Sequence, residues 1–369
     1  LTPMPTIKSV VFLTYHFPPE IGGIQTRISK YIDRLRRRGI HVTVLVAGRE
    51  ARVKDAILDA KIVMCPGGIR RLPGSIVSVT NGIIGCRADV VHVFTGSSTL
   101  LGVYSLIVAR VVGARPVMSV FGREDLELPS RVSRTLFRIS LDLADSIDVN
   151  STSTRSLLPE RVKAKAHVLL GAAEETVATP SQAGRYPPTV LFVGRLAARK
   201  GVDDLLRAFA TVRVRFPEAR LSVVGDGPEM GHLINLAGQL GISDYVSFKG
   251  TLVGQALEQE YESSTVFVLP SKDVASDTAN EGLGLVLIEA SMHSNALVGT
   301  DHGGIPEIVR QGENGLLVPP ANPAALAQAI MTILADPDLA RSMGQSALRI
   351  ASERFSWDRA TDALLESYT

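Results

Sequence analysis

Short apolar runs alternate along this chain with longer stretches whose apolar positions recur every three or four residues. Val10-Val-Phe-Leu-Thr14 is a continuous apolar run of strand length, the pattern of a strand buried on both faces. From Gly23 to Arg38, the residues Ile24, Ile28, Tyr31, Ile32 and Leu35 fall on one helical face, and Gly39 supplies the stop. His41 to Ala47, Val90 to Phe94 and Pro116 to Val120 predict further buried strands. This β-α-β alternation predicts a parallel, doubly wound sheet.

The pattern then restarts. Residues 178–189 are rich in Pro, Gly and Ser and read as part of a linker spanning 176–189. Beyond them Val190 to Val193 predicts a strand, Val202 to Phe216 a helix and Leu221 to Val224 a strand. Val246 to Phe248, Val266 to Leu269 and Ala296 to Gly299 predict three more. The expected fold is α/β: two tandem doubly wound, Rossmann-like domains, residues 1–175 and 190–354, with an interdomain cleft where the carboxyl ends of their strands face each other. Phe355-Ser-Trp357-Asp and Ala360 to Tyr368 predict a final amphipathic helix within 355–369.

Charge separates the two halves. Residues 1–170 hold 24 Lys and Arg against 13 Asp and Glu, and the remainder holds 15 against 24. A basic first half suits an anionic membrane or an anionic acceptor. Nucleic acid is not expected, because aromatic residues make up only 5% of the chain and do not interleave with Arg. The cysteines, Cys65 and Cys86, form no Cys-x-x-Cys or Cys/His cluster, so no structural zinc is implied and a reducing cytoplasm is the simpler setting. Leu1 to Pro5 lacks a basic-then-apolar leader pattern, and the most apolar stretch, Leu100 to Val112, is interrupted by Arg110 and too short to span a bilayer. The expectation is a cytoplasmic protein, at most peripheral on the inner face of the cell membrane. The helix from Gly23 to Arg38 carries Lys30, Arg34, Arg36, Arg37 and Arg38, which suits either an anionic lipid surface or a solvated face.

Four segments carry candidate chemistry. Glu281-Gly-Leu-Gly-Leu-Val-Leu-Ile-Glu289 follows a polar loop and should open a helix near Gly284; Gly282 and Gly284 let a phosphate approach free backbone N–H groups at its positive end. Glu281 on the loop and Glu289 more than a turn into the helix sit well apart, so they can hold hydroxyls of two different rings. Glu289 lies between Ile288 and Ala290, where a carboxylate needs a partner. Gly194-Arg195-Leu-Ala-Ala-Arg-Lys200-Gly201 directly follows a strand, and its two cations, Arg195 and Lys200, can clamp a diphosphate. Gly22-Gly23 precedes the first helix and either admits a ligand or forms a plain turn; no Walker loop follows. Gly225-Asp-Gly227-Pro mimics a dinucleotide fingerprint, but Met230 stands where its third glycine belongs.

Together with Pro18-Pro-Glu-Ile-Gly22-Gly23, Gly303-Gly304-Ile-Pro-Glu307 and Gly315-Leu-Leu-Val-Pro319, these segments resemble the retaining glycosyltransferases of family four, which have the GT-B fold. Phe17 to Gln25 and Asn280 to Gly284 are most similar to mannosyltransferases acting on phosphatidylinositol mannosides. The resemblance implies transfer of a sugar from a UDP- or GDP-sugar to a hydroxyl acceptor, lipid-linked or glycan, with no metal and no cofactor. It implies that Arg195 and Lys200 neutralise the leaving diphosphate, beside Gly194. Glu281 would hold donor-sugar hydroxyls, and Gly282, Leu283, Gly284 and Leu285 would offer backbone N–H groups. Glu289 would hold the ribose, Gly250 and Leu252 would line the base pocket, and Gly22 and Gly23 would approach the donor from the other domain. The last helix would pack back onto the first domain as a hinge.

One position departs from the family. A histidine that reads the sugar's 6-hydroxyl normally follows the strand ending at Val120, and here Phe121 stands there. The expectation is a donor whose sugar lacks an ordinary 6-hydroxyl or presents it differently. His92, one strand earlier, is read either as a partial substitute or as a structural residue. The other readings are a non-catalytic sugar-nucleotide sensor and another GT-B enzyme, an epimerase or a phosphorylase.

Overall fold

The computed structural model describes residues 7–17, 23–48, 61–66, 72–95, 98–122, 125–126, 128, 130–173, 187–274 and 281–369. The chain divides into two compact units, Leu1–Gly171 with Trp357–Thr369, and Ala172–Ser356. The linker predicted over 176–189 lies largely outside the described residues.

In the first unit the strands are β1 (Ser9–Thr14), β2 (His41–Gly48), β3 (Lys61–Pro66), β4 (Val90–Val93), β5 (Arg115–Val120), β6 (Ser146–Val149) and β7 (Ala166–Val168). They pair in parallel in the order β3-β2-β1-β4-β5-β6-β7. Helices α1 (Gly23–Arg37), α2 (Leu72–Gly85), α3 (Leu100–Val111), α4 (Arg131–Leu143), α5 (Thr152–Ser156) and α6 (Glu160–Lys163) belong to the same unit. Every position of β1 is buried. Its unbroken Val-Val-Phe-Leu run therefore has apolar contacts on both faces, each such side chain contributing about 1.5–3 kcal/mol by leaving water. Thr99 starts α3 by accepting from Gly102 N at 3.1 Å, and Ser130 starts α4 by accepting from Ser133 N at 2.9 Å.

The second unit holds β8 (Thr189–Val193), β9 (Arg220–Val224), β10 (Val246–Phe248), β11 (Val266–Leu269), β12 (Ala296–Thr300) and β13 (Gly315–Val318), parallel in the order β10-β9-β8-β11-β12-β13. Its helices are α7 (Val202–Arg215), α8 (Met230–Gln239), α9 (Gln255–Ser263), α10 (Leu285–Met292), α11 (Pro323–Ala335) and α12 (Pro337–Arg354). In both sheets the order reverses once, between β1 and β4 and between β8 and β11. Doubly wound sheets bind ligands at the carboxyl side of such switch points.

The last helix, α13 (Trp357–Ser367), belongs to the first unit. Trp357 meets Tyr31 of α1 edge-on with ring centroids 5.8 Å apart. Two of the five cations that make α1 look like a lipid-binding helix point at this neighbour: Arg38 pairs with Asp362 at 2.5 Å, and Arg34 lies 3.8 Å from Asp358. Arg37 pairs within α1, with Asp33 at 3.0 Å. The apolar face of α1, with Ile28, Tyr31, Ile32 and Leu35, is buried. This helix therefore has no apolar face left to insert in a bilayer.

A buried polar cluster ties α13 to the sheet. His92 of β4 bonds Tyr368 Oη through Nδ1 and Ser119 Oγ through Nε2, both at 2.8 Å, so it is a structural residue. Ser367 donates to Asp148 of β6 at 3.1 Å, and Asp148 Oδ2 lies 3.7 Å from His92 Nε2. Burial pushes Asp148 up to about 8 and His92 down to about 3, so both are neutral in the folded protein between about pH 3 and pH 8. Asp148 binds a proton in the folded chain that the unfolded chain has released, so its contribution falls as pH rises towards 8. His92 opposes this only below its unfolded value of 6.5. Between pH 6.5 and 8 the first unit is expected to lose stability, by about 2 kcal/mol. Thermal unfolding followed across that range should show the slope in the wild type and a flattened profile in Asp148→Asn.

Candidate active site

The second unit's switch point is built from the loops that leave β8, β9, β11 and β12. The loop after β8, from Gly194, is strapped to the loop after β9: Gly194 N donates to Val224 O at 3.0 Å, Leu196 N to Asp226 O at 2.9 Å and Glu229 N to Leu196 O at 3.0 Å. Gly225 has φ +129°, and a Cβ there would stand 1.9 Å from Gly194 O. A Cβ at Gly227 would likewise stand 2.3 Å from Leu196 O, so the Gly225-Asp-Gly227-Pro segment is a backbone bed for Gly194 and Leu196, which explains its glycines without a dinucleotide. Gly250 belongs to the same strapping, its carbonyl accepting from Gly225 N at 2.7 Å, and Leu252 lies half-buried two residues on.

Arg195 is exposed, and no described residue holds its guanidinium. The loop then tightens into a 3-10 turn, Ala198–Lys200, before α7. Lys200 turns inward. Its Nζ lies 2.5 Å from Glu281 Oε2, and Ser271 Oγ, just beyond β11, donates to the same oxygen at 2.8 Å. Both members of the pair are largely buried, with side-chain exposures of 12% and 8%. Burial alone would raise the Glu281 carboxyl. The Lys200 charge and hydrogen bond, the Ser271 hydroxyl and the nearby Arg199 outweigh it and hold the group below the ordinary carboxylate value. Glu281 is thus an ionised acceptor, and among the described residues none bonds its Oε1.

The main chain at Glu281 is held just as closely. Its carbonyl accepts from Gly304 N at 3.0 Å. Gly303, with φ +58°, approaches so near that a Cβ would meet that carbonyl at 2.1 Å. The Gly303-Gly304 pair, noticed only as a marker in the sequence, is what seats Glu281. Lys272 pins the opposite side: its Nζ lies 2.8 Å from Asp203 and 2.7 Å from Asp204 at the start of α7, and its backbone N donates to Arg199 O at 2.8 Å. Sequence reasoning missed Ser271, Lys272, Asp203 and Asp204. Their signal was Ser271-Lys272 standing directly after a buried strand and an acidic pair opening a helix.

Gly284, with φ +84°, ends the loop, and α10 begins at Leu285. The N–H groups of its first turn have no intrahelical acceptor, so they and the positive helix end suit an anion. Gly282 and Leu285 are half-buried at this start, and Leu283 is buried against it. Glu289, one turn into α10, accepts from Tyr261 Oη of α9 at 2.7 Å. Tyr261 is the partner the buried setting demands. Burial raises the Glu289 carboxyl and the Tyr261 bond lowers it, with a net rise. Among the described residues, no group of three His, Cys, Asp or Glu side chains is placed to hold a metal ion.

Of the residues predicted in the first domain, Gly22 lies outside the described residues and Gly23 is the exposed first residue of α1. Phe121 directly follows β5 and is 8% exposed. Its carbonyl accepts from Asn150 Nδ2 at 2.6 Å, its N donates to Asp125 Oδ2 at 2.7 Å, and its ring stacks on Phe94 with centroids 6.4 Å apart. The guanidinium of Arg27 lies over the ring, 5.5 Å from its centroid.

Two doubly wound units, one with a cation-carboxylate pair at its switch point, define the GT-B class of glycosyltransferases. Residues 178–349 match the family model of glycosyl transferases group 1, and residues 21–170 match that of glycosyltransferase family 4. The chain belongs to this family and is a glycosyltransferase. Among its relatives is the GDP-mannose-dependent alpha-(1-6)-phosphatidylinositol monomannoside mannosyltransferase of Mycobacterium tuberculosis, 29% identical over 95% of this chain and 96% of that protein. Among solved structures, a glycosyltransferase from Rickettsia africae superposes with TM-score 0.81 at 17% identity, covering 99% of this chain and 98% of that one. An Anabaena protein in complex with UDP superposes with TM-score 0.80 at 20% identity, covering 98% and 99%.

Proposed function

We propose that the protein transfers a sugar from a nucleoside-diphosphate sugar to a hydroxyl acceptor with retention at the anomeric carbon. The observation that carries this reading is the ionised Glu281, held by Lys200 and Ser271 at the switch point while Arg195 stands exposed on the same loop. Arg195 and Lys200 face the diphosphate and stabilise the charge that develops as the C1–O bond breaks. Two cations here supply the neutralisation for which other transferases use a divalent ion. Glu281 accepts hydrogen bonds from donor-sugar hydroxyls, the start of α10 meets the phosphate, and Glu289 meets the ribose. The acceptor oxygen bonds C1 on the face the diphosphate leaves, and its proton passes to the departing phosphate oxygen. Phe121 stands at the sequence position where the family's histidine reads the 6-hydroxyl and offers no side-chain hydrogen bond, so in this reading the donor sugar lacks an ordinary 6-hydroxyl or presents it elsewhere.

The acceptor is lipid-linked in this reading, and the protein works at the inner face of the cell membrane. The Mycobacterium tuberculosis relative is named for a lipid acceptor. Support on the chain itself lies on α2, α3 and α4, which pack side by side. They expose Val77 and Ile84, Leu100 and Val111, and Val132, together with Arg110, Arg131 and Arg138. Their sequences contain a single acid, Asp142, paired with Arg161 at 3.0 Å. Arg110 pairs with Asp145 at 2.6 Å, just beyond α4, and apolar side chains beside the exposed Arg131 and Arg138 suit an anionic bilayer. Among the described residues, no helix is long and apolar enough to cross a membrane.

Incubation with UDP- and GDP-sugars, followed by proton NMR of the anomeric signals, tests the reading. Release of nucleoside diphosphate with a glycoside of the donor's configuration is expected. Donor binding without turnover would make the protein a sensor, and an isomerised sugar without glycoside would make it an epimerase. A preference for an ordinary hexose over its 6-deoxy analogue would overturn the donor inference. In the same preparation, Val111→Glu with Val132→Glu should lose co-sedimentation with anionic vesicles and keep transfer to soluble acceptors; undiminished vesicle binding would discard the lipid face.

A further inference from the structure

Arg27, on the second turn of α1, stands out because its charge is buried and unanswered. The residue is 5% exposed, yet no described residue gives it a hydrogen bond or a carboxylate within ion-pair distance, and its guanidinium lies over the Phe121 ring. Arginine does not escape burial by losing its proton, as lysine does. An aromatic face offsets only part of the desolvation of a guanidinium, and buried cations are ordinarily paired. Asp148 is the acid that feels Arg27 from within the core, but burial keeps its carboxyl protonated at neutral pH and it forms no ion pair with Arg27.

The location supplies a second, independent observation. α1 follows β1, Phe94 follows β4 and Phe121 follows β5, so Arg27 and the ring beneath it sit at the carboxyl side of the sheet where its strand order reverses. That is the ligand-binding position of a doubly wound sheet. The side chain is also open at its tip. Polar atoms shut away from solvent without a partner include Tyr31 Oη and Asp148 Oδ1 but no nitrogen of Arg27. A guanidinium resting on an aromatic ring keeps in-plane donors for an oxyanion.

We propose that Arg27 is the docking point for a phosphate ester carried by the acceptor. The surplus of basic residues over residues 1–170, 24 against 13, favours the more highly charged phosphate over a carboxylate. The word acceptor rests on the transferase reading; the oxyanion site itself does not. A free sugar phosphate and a lipid headgroup present the same group, and the two are separable.

The test reads binding rather than turnover. With GDP and UDP both present to occupy the second unit's cations, inorganic phosphate, myo-inositol 1-phosphate and myo-inositol are titrated by calorimetry and by thermal unfolding. Wild type should bind inositol phosphate about tenfold or more tighter than inositol. Arg27→Met should bind both alike while its own unliganded unfolding temperature stays equal or rises, since no internal bond is lost. Arg27→Lys, which keeps the charge without the fork, should retain a weakened preference and carries the test if the Met variant does not fold. Phosphatidylinositol in neutral vesicles supplies the other arm: Arg27-dependent binding to vesicles alone assigns the group to a headgroup, and to the soluble compound alone to a free phosphate. A wild type that does not distinguish the pair, or an Arg27→Met protein that distinguishes it equally well, overturns the proposal. Absence of sugar transfer with an intact Arg27-dependent phosphate preference would instead sink the transferase reading.

Discussion

Lys200→Ala is expected to lower kcat/KM for sugar transfer by about 10³-fold or more, and to destabilise the second unit as well. Catalysis suffers because, in the proposed reaction, the residue supplies one of two cations facing the leaving diphosphate; a preorganised group acting on developing charge is worth about 10²–10³-fold by itself. Stability suffers because Lys200 is also the counterion of Glu281, at 2.5 Å. Removing one partner of a buried pair leaves the other charge uncompensated, at about 3–5 kcal/mol. The pH profile distinguishes this from a general packing defect. In the wild type the Glu281 carboxyl is depressed, so the pair's contribution is fully present above its unfolded value of 4.5 and is lost as pH falls through the lower folded value. Without Lys200, burial dominates and the folded value rises above 4.5. The variant then loses stability as pH rises through the carboxylate range, the opposite sign. Lys200→Met with Glu281→Gln removes both charges and should recover most of the unfolding temperature but none of the activity. A single variant as stable as wild type at pH 7, with the same pH profile, would show that the pair does not hold the site together.

The second large effect is expected from Gly303→Ala. A methyl group there would stand 2.1 Å from the Glu281 carbonyl oxygen at φ +58°, against backbone that has no rotamer to yield. Either the loop bearing Glu281 shifts or the Gly303 turn opens, and both break the Gly304 N–Glu281 O bond of 3.0 Å. Displacement by 1 Å of a group that positions substrate suffices for about 10²-fold in rate. The expected signature is a loss of at least that size in kcat/KM, with thermal stabilisation by the donor nucleotide strongly reduced. Gly312→Ala is the control: its φ is +75°, but a Cβ there meets nothing within 4 Å, so it should show the backbone strain without the loss of donor binding. Equal donor stabilisation in wild type and Gly303→Ala would mean that Glu281 is seated by other contacts.

Much of the second unit was legible in the chain. Strands β8, buried from Val190 onward, and β11, buried throughout, carry unbroken apolar runs, and the loops that follow them hold Arg195, Lys200 and Glu281, which could be placed by counting from strand ends. Other elements were hidden by their composition. β6 reads Ser146-Ile-Asp148-Val, and an acid in a buried strand contradicts the pattern until its neighbours, Ser367 and His92, are known. β7 is three residues long, too short for any period to show. The basic helix α1 was open between lipid and solvent, and what answers Arg34 and Arg38 is α13, more than three hundred residues away.

By itself, then, the sequence determined the doubly wound units and the family, and it singled out the cations and carboxylates of the proposed donor site. Those follow from periodicities and spacings that are local, because a strand end and the loop behind it are contiguous in the chain. The tertiary structure decided who partners whom. Lys200 with Glu281 and Ser271, Gly303 against the Glu281 carbonyl, Tyr261 with Glu289, and Arg27 with an aromatic ring in place of a carboxylate are all contacts between separate segments. Such pairings depend on sheet order and on distances of a few ångströms, which residue spacing along a chain does not encode.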